Sequence, residues 1–108
     1  MQSRLDVGKA SPAAYSAMLS LEGFIRKSSK LEGSLIELVK MRASQINRCA
    51  YCIDMHSKDA RAEGESEQRL YALSAWEEAP FFTDRERAAL AWTEAVTLIA
   101  KDQCRCCL

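Results

Sequence analysis

Residues 34 to 61 read SLIELVKMRASQINRCAYCIDMHSKDAR, and they contain four side chains at spacings that suit redox chemistry: Glu37, Cys49, Cys52 and His56. If the second half of this stretch is helical, a rotation of about 100° per residue places both cysteines and His56 within a stripe about 60° wide. His56 then lies one turn beyond Cys52, about 6 Å along the helix axis. The thiolate is the nucleophilic form of cysteine, and a helix N-terminus and a neighbouring imidazole both favour it. The spacing therefore indicates a nucleophile, a second thiol and a proton carrier on one helix face.

The rest of the chain carries frequent signals for helix starts and ends, and no run has the two-residue period of a strand. Ser11-Pro12 combines an N-cap with a proline at the first helical position. Two segments, Ser34 to Glu37 and Thr83 to Glu86, have the capping-box pattern of a helix start. These signals predict an all-α fold with five helices: from Pro12, from Ser34 to about Ile46, from near Cys49 to Gly64, from Ser66 to before Pro80, and from Thr83 to about Ala100.

Residue type and position also predict which side chains are buried. The fourth helix and the aromatic residues of the second half are expected to supply the core: Leu70, Leu73, Trp76, Phe81, Phe82 and Trp92. Four basic residues around the cysteine pair are expected to form a solvated face: Arg42, Arg48, Lys58 and Arg61.

The fifth predicted helix is apolar around most of its circumference. Between Ala88 and Ala100 its polar residues are Thr93, Glu94 and Thr97, which span about 100°. Such a helix needs cover on more than one side. We therefore expect a homo-oligomer, or a domain that normally continues beyond residue 100.

Length and composition place the chain in a broad class. Its 108 residues suit one domain, spanning residues 1 to 108, with its own core. Fifteen basic and fifteen acidic residues cancel, so no overall field directs the chain to nucleic acid or anionic lipid. The first twelve residues contain no apolar core of a secretory signal, and no segment is long and uncharged enough to span a membrane. A cytoplasmic location is the expectation, and in that reducing compartment a C-x-x-C pair is more often catalytic, redox-sensing or metal-binding than structural.

The remaining cysteines cluster at the end of the chain, which reads CRCCL. Residues 103 to 108 are expected to be an irregular tail without designed chemistry.

The site residues also have simpler interpretations. A glutamate three residues after Ser34 is what a capping box requires, so Glu37 has a structural alternative. Zinc is the chemical alternative: Cys49, Cys52 and His56 make three ligands, and only a tail cysteine could supply the fourth that a structural site needs. A non-catalytic helical interaction module with a redox-sensing or zinc-binding C-x-x-C thus remains open beside catalysis.

The pattern E-x11-C-x2-C-x3-H, set in a predicted helical hairpin, closely resembles the core of the AhpD-like alkyl hydroperoxidases of the carboxymuconolactone decarboxylase superfamily. The similarity covers roughly residues 10 to 100 and continues through AEGESEQRLYALSAW and FFTDRERAALAWTEAV. The resemblance implies an all-helical fold that assembles into trimers or hexamers. It also implies an antioxidant enzyme, an alkyl hydroperoxide reductase, that reduces peroxides with thiols.

The resemblance also implies a role for each residue of the motif. Cys52 is the thiol that attacks the peroxide, Cys49 is its disulfide partner, and His56 and Glu37 form the proton relay. No metal or other cofactor is implied, and electrons come from another dithiol, such as a lipoyl group or a partner reductase. Helix-dipole reasoning alone favours Cys49 as the attacking thiol, because it lies nearer the helix N-terminus.

Two features depart from the family pattern. The AhpD proteins have a second histidine between the cysteines, where this chain has Tyr51. Family members also usually continue with further helix where this chain becomes CRCCL. The decarboxylases of the superfamily lack the thiol pair, so decarboxylation is the weaker interpretation.

Overall fold

A computed structural model describes residues 4–100, and all regular structure in that range is helical, which confirms the all-α prediction. The α-helices are α1 (Val7–Ala10), α2 (Pro12–Ser28), α3 (Gly33–Asn47), α4 (Ala50–Ala62), α5 (Glu67–Ala72) and α6 (Asp84–Thr97). A short 3-10 helix, Leu73–Ala75, directly continues α5. The five predicted helices are all found, and α1 is an additional turn that the sequence did not predict. The fourth helix is shorter than predicted, because it is α-helical only to Ala72 and its 3-10 turn ends at Ala75, before the predicted end next to Pro80.

The described chain divides into two compact units, of which the first ends at Leu31. It consists of α1 and α2, and α2 begins as predicted with Pro12 in its first turn after Ser11. The Ser11 side chain makes no capping hydrogen bond. Two apolar residues on α2, Met18 and Leu21, are exposed.

The second unit begins at Glu32 and contains the remaining helices. α3 and α4 are joined by only two residues and run antiparallel: a Cβ atom added at Gly33, at the start of α3, would lie 2.8 Å from the Glu63 carboxylate that follows α4. The helical hairpin expected from the sequence is therefore present. α6 packs against α3.

Apolar side chains from α3, α4, α5, α6 and the segment between α5 and α6 form one core, whose buried members are Leu38, Met41, Ala60, Leu70, Leu73, Trp76, Phe82 and Leu90. Ile53, Ala79 and Phe81 pack against this core and are partly buried. The predicted inward positions of the fourth helix are confirmed. Trp92 is a correction, because 67% of its surface is exposed.

The two capping-box predictions have opposite outcomes. At α6 the Thr83 hydroxyl accepts from the Glu86 backbone N–H, and the Glu86 carboxylate accepts from the Thr83 N–H, as predicted. At α3 the prediction is wrong, because the helix already begins at Gly33 and Ser34 lies inside its first turn. The Glu37 carboxylate instead contacts a histidine on α4.

α6 presents its polar residues inward. Thr93 is buried, and Glu94 accepts hydrogen bonds from Arg42 on α3 and from the indole N–H of Trp76. Arg42 is therefore not part of a solvated face, since only 15% of its side chain is accessible. The apolar side chains of Trp92, Val96 and Ile99 face outward, and the helix ends at Thr97 rather than near Ala100.

No helix of the described part of the chain is long and apolar enough to cross a membrane. The predicted tail, residues 103 to 108, lies outside the described residues. The prediction of a single domain over residues 1 to 108 stays a prediction.

Candidate functional site

The end of α3 and the start of α4 together fix the backbone of the cysteine pair. Arg48 adopts the left-handed conformation, with φ 54° and ψ 38°, and it closes α3. Its N–H is bonded to the carbonyl of Gln45, and the N–H of Cys49 is bonded to the carbonyl of Ser44. This pattern of bonds around a left-handed residue is a Schellman helix end. A glycine usually takes the left-handed position, so sequence signals did not point to Arg48.

Cys49 is the N-cap of α4, with extended backbone angles, rather than a residue of the helix itself. Its sulfur accepts a hydrogen bond of 3.3 Å from the backbone N–H of Cys52, as a serine or aspartate oxygen does at other helix starts. The sequence predicts Cys49 within the helix, but Cys49 lies at the cap instead. The sulfur at position 49 consequently lies at the positive end of the α4 dipole.

The two sulfurs form a disulfide between Cys49 and Cys52, whose Cα atoms are 5.3 Å apart. This separation lies within the usual range of disulfides, so the backbone of the helix start accommodates the bond. Both residues are partly exposed, so the disulfide is accessible from solvent. Tyr51, between them, is 76% exposed.

Glu37 and His56 meet between the two helices of the hairpin. Glu37 lies on α3 and is only 1% exposed, whereas His56 lies on α4, one turn after Cys52, with 12% of its side chain accessible. The imidazole Nδ1 lies 2.9 Å from Oε2 of Glu37, so a ring N–H at this position donates to the carboxylate. The structure therefore brings together two predicted site residues that are 19 positions apart in the sequence.

Asp59 belongs to the same cluster, although it was not among the predicted site residues. Its carboxylate lies with the donor atoms of Glu37 and His56 in a group whose members are all within 4.8 Å of one another. Asp59 follows His56 by three residues, and this spacing brings side chains onto one helix face. That spacing is the signal that could have identified it.

A surface groove of about 730 Å³ lies on another face of α4. Its floor includes Met41, Ile53 and Leu70, and Lys58 and Arg61 are among its polar lining residues. Neither the disulfide nor Glu37 lines it, so the groove is distinct from the cysteine site.

Comparison with known proteins places this fold and motif in a family. A model of the family described as "Carboxymuconolactone decarboxylase family" matches residues 12–95. The chain belongs to the carboxymuconolactone decarboxylase family. The resemblance to its AhpD-like members, which rested on the E-x11-C-x2-C-x3-H pattern, is confirmed as a family assignment.

Similar proteins occur in several bacteria. The uncharacterized protein YdfG of Bacillus subtilis is 43% identical over 99 residues, covering 92% of this chain and 67% of YdfG. The uncharacterized protein YnjA of Escherichia coli is 34% identical over 73 residues, covering 68% of this chain and 40% of YnjA. This member of the carboxymuconolactone decarboxylase family thus spans about two thirds of the first relative and less than half of the second.

A solved structure has the same fold. The crystal structure of ATU0492 from Agrobacterium tumefaciens, described as a protein of unknown function and a candidate antioxidant defence protein AhpD, superposes with a TM-score of 0.83. The two sequences are 48% identical, and the match covers 93% of this chain and 68% of ATU0492. The AhpD-like helical fold of this family member is therefore confirmed.

Proposed function

We propose that this chain is a thiol-dependent peroxidase that reduces alkyl hydroperoxides through the Cys49–Cys52 pair. The observation that carries the proposal is the disulfide at the start of α4, with His56 one turn farther along the same helix and hydrogen-bonded to Glu37 on α3. The candidate antioxidant role given to ATU0492 supports it by analogy.

In the proposed reaction the Cys52 thiolate attacks one peroxide oxygen, the O–O bond breaks, and the alcohol leaves with a proton. Cys52 is then a sulfenic acid. The Cys49 thiol attacks that sulfur, the S–O bond breaks, and water leaves as the disulfide forms. The sum is one hydroperoxide and two thiols giving one alcohol, one water and one disulfide.

His56 is the proton carrier in this scheme. With its Nδ1–H donating to Glu37, the ring is held in one orientation and Nε2 is the nitrogen that takes up and releases a proton. Glu37 orients the imidazole rather than contacting the peroxide. Proton transfer by a positioned side chain of this kind contributes about 100-fold or more to a rate.

A dithiol closes the cycle. One donor thiolate attacks a sulfur of the disulfide, the other sulfur leaves as a thiolate, and the second donor thiol completes the exchange. The Cys49 sulfur is suited to leave, because the Cys52 N–H and the helix N-terminus stabilise its negative charge. We propose a lipoyl group or a partner reductase as the donor.

Stopped-flow oxidation by cumene hydroperoxide tests the proposal. The reduced wild type should form one disulfide between Cys49 and Cys52, identified by peptide mass spectrometry, and Cys52→Ser should abolish rapid peroxide consumption. Cys104→Ser is the matched control, and it should behave as the wild type does. Unchanged peroxide consumption in Cys52→Ser, without sulfenic acid on Cys49, contradicts the peroxidase assignment. Rapid sulfenic-acid labelling of Cys49 in that variant instead reverses the roles of the two thiols.

Turnover separates catalysis from the non-catalytic alternative. A redox-sensing module forms the disulfide once per chain, whereas a peroxidase consumes many equivalents of peroxide when dihydrolipoamide is supplied. Consumption of no more than one equivalent of peroxide per chain, with dihydrolipoamide present in excess, contradicts the enzyme assignment.

We also propose that the chain assembles into a homo-oligomer, a trimer or hexamer, through the outward face of α6. Trp92, Val96 and Ile99 on or just after this helix are between 49% and 67% exposed. Trp92→Glu should lower the mass measured by light scattering, and Trp92→Phe should not. A monomeric wild type that is well folded at micromolar concentration contradicts this proposal.

A further inference from the structure

We propose that Glu37, His56 and Asp59 form a binding site for a divalent transition-metal ion, with Zn²⁺ the best match. This goes beyond the proposed peroxidase function, although the two share Glu37 and His56. It also differs from the zinc site considered from the sequence, which used both cysteine sulfurs. Those sulfurs are bonded to each other here, so they are not available as thiolate ligands.

The geometry of the three donors carries the inference. One carboxylate comes from α3, and the imidazole and the second carboxylate come from one face of α4. The three donor atoms all lie within 4.8 Å of one another, and the two from Glu37 and His56 are 2.9 Å apart. Ligands about 2.0 to 2.1 Å from a tetrahedral zinc ion are about 3.3 Å apart. The Glu37 and His56 atoms need to separate by only a few tenths of an ångström.

A modest movement of the Asp59 side chain would bring the third donor atom into range of the ion. It is the most accessible of the three side chains, so its carboxylate has room to change rotamer and approach the other two donors. Glu37 is 1% exposed, and His56 fixes its orientation. The site thus combines two fixed donors with one adjustable donor, and a fourth position stays open to water.

The donor chemistry selects the kind of ion. Two carboxylates and one imidazole suit a borderline ion such as zinc better than soft copper(I), which prefers sulfur, or calcium, which prefers six to eight oxygens. A dication would also carry charge opposite to that of the buried Glu37 carboxylate.

Metal binding and proton transfer exclude each other at this site. An ion bound by Nδ1 of His56 and Oε2 of Glu37 replaces the proton of their hydrogen bond. The loaded protein therefore lacks the relay, and zinc acts as an inhibitor of the thiol chemistry rather than as its cofactor.

Zinc binding to the oxidised full chain tests the proposal without reference to peroxide. The Cys49–Cys52 disulfide is formed first, and the remaining thiols, including those of Cys104, Cys106 and Cys107, are alkylated so that no thiolate competes. Titration against a chromophoric zinc indicator should then show one Zn²⁺ bound per chain. Asp59→Asn should weaken this binding at least about 10-fold.

Asp54→Asn is the matched control. Asp54 is an exposed carboxylate of α4 that pairs with Lys58 and lies outside the cluster, so its loss should leave zinc affinity unchanged. Far-UV circular dichroism of both variants checks that α4 is intact. The proposal is overturned if the wild type binds no zinc, if Asp59→Asn binds as tightly as the wild type, or if Asp54→Asn weakens binding equally. Each of these results leaves the peroxidase proposal untouched.

Discussion

Glu37 and Glu94 are two carboxylates withdrawn from solvent in the same unit, but the groups that hold them differ in kind. Glu37 meets the imidazole of His56 at 2.9 Å. Glu94 accepts from the guanidinium of Arg42 at 2.8 and 2.9 Å and from the indole of Trp76 at 2.8 Å. A guanidinium and an indole act only as hydrogen-bond donors, whereas each ring nitrogen of an imidazole can either donate or accept, which suits an imidazole to passing a proton on. The partner, more than the burial, separates a structural carboxylate from one suited to proton transfer.

Glu37→Gln should have the largest effect, and this effect should be on the rate of thiol oxidation. The amide keeps the size of the side chain but removes the charge that orients and stabilises a protonated His56. We expect the rate of thiol oxidation by cumene hydroperoxide to fall about 100-fold, which corresponds to about 2.7 kcal/mol in activation free energy. Stopped-flow kinetics on the reduced protein measures it. Glu94→Gln serves as the control, and an equal loss of rate in both variants would remove the distinction between the two carboxylates.

Glu94→Ala should instead reduce stability. Arg42 and Trp76 each lose a hydrogen-bond acceptor in a partly buried position, and a donor left without a partner costs about 1 to 3 kcal/mol. We expect the free energy of unfolding, measured by urea denaturation, to fall by about 2 kcal/mol. The rate of thiol oxidation in the folded fraction should change less than about threefold. A stable but inactive Glu94→Ala protein would contradict the structural role.

The sequence predicted more of the local structure than of these long-range partners. The Thr83 capping box is confirmed because its two bonds join residues only three positions apart. The same pattern at Ser34 fails, since Glu37 contacts His56, 19 positions later, and a local motif carries no information about that contact. The cysteine motif selected Glu37 and His56, which the structure brings together, whereas the capping-box pattern gave Glu37 a local role that it does not have.

Local sequence patterns also did not predict which side of α6 faces outward. Glu94 turns inward because Arg42 and Trp76, from distant parts of the sequence, supply its partners. Trp92 is exposed as a consequence, although its residue type favoured the core. The helix was predicted correctly, and its rotation about its own axis was not.

Substitution of Glu86 should have the smallest of these effects, and its effect on the free energy of unfolding should depend on pH. Burial alone raises the pKa of this carboxyl, but hydrogen bonds from Arg69 and from the backbone N–H of Thr83 outweigh burial and lower it. Because the pKa of Glu86 is lower in the native state, the ionised carboxylate adds its full contribution to the free energy of unfolding above pH 4.5, the ordinary pKa of a glutamate. This contribution is lost as the pH falls through the lowered native-state pKa. Glu86→Gln keeps a side-chain acceptor for the Thr83 cap and removes the charge.

We expect Glu86→Gln to lower the free energy of unfolding by up to about 1 kcal/mol at neutral pH, since its partner Arg69 is partly exposed. The difference from the wild type should shrink below pH 4.5. Urea denaturation at neutral pH and at pH 3 measures both values. A difference that is the same at the two pH values would show that the charge of Glu86 does not contribute.

The two-residue link between α3 and α4 affects how fast the Cys49–Cys52 bond can open and close. The N–H groups of Arg48 and Cys49 are bonded to carbonyls of α3, and Cys52 already lies within α4. Opening and closing the Cys49–Cys52 bond therefore requires rotation about side-chain bonds, which takes picoseconds to nanoseconds, rather than rearrangement of a loop, which takes up to microseconds. For the proposed peroxidase, we therefore expect the arrival of peroxide and donor, and not motion of the backbone, to set the rate of turnover.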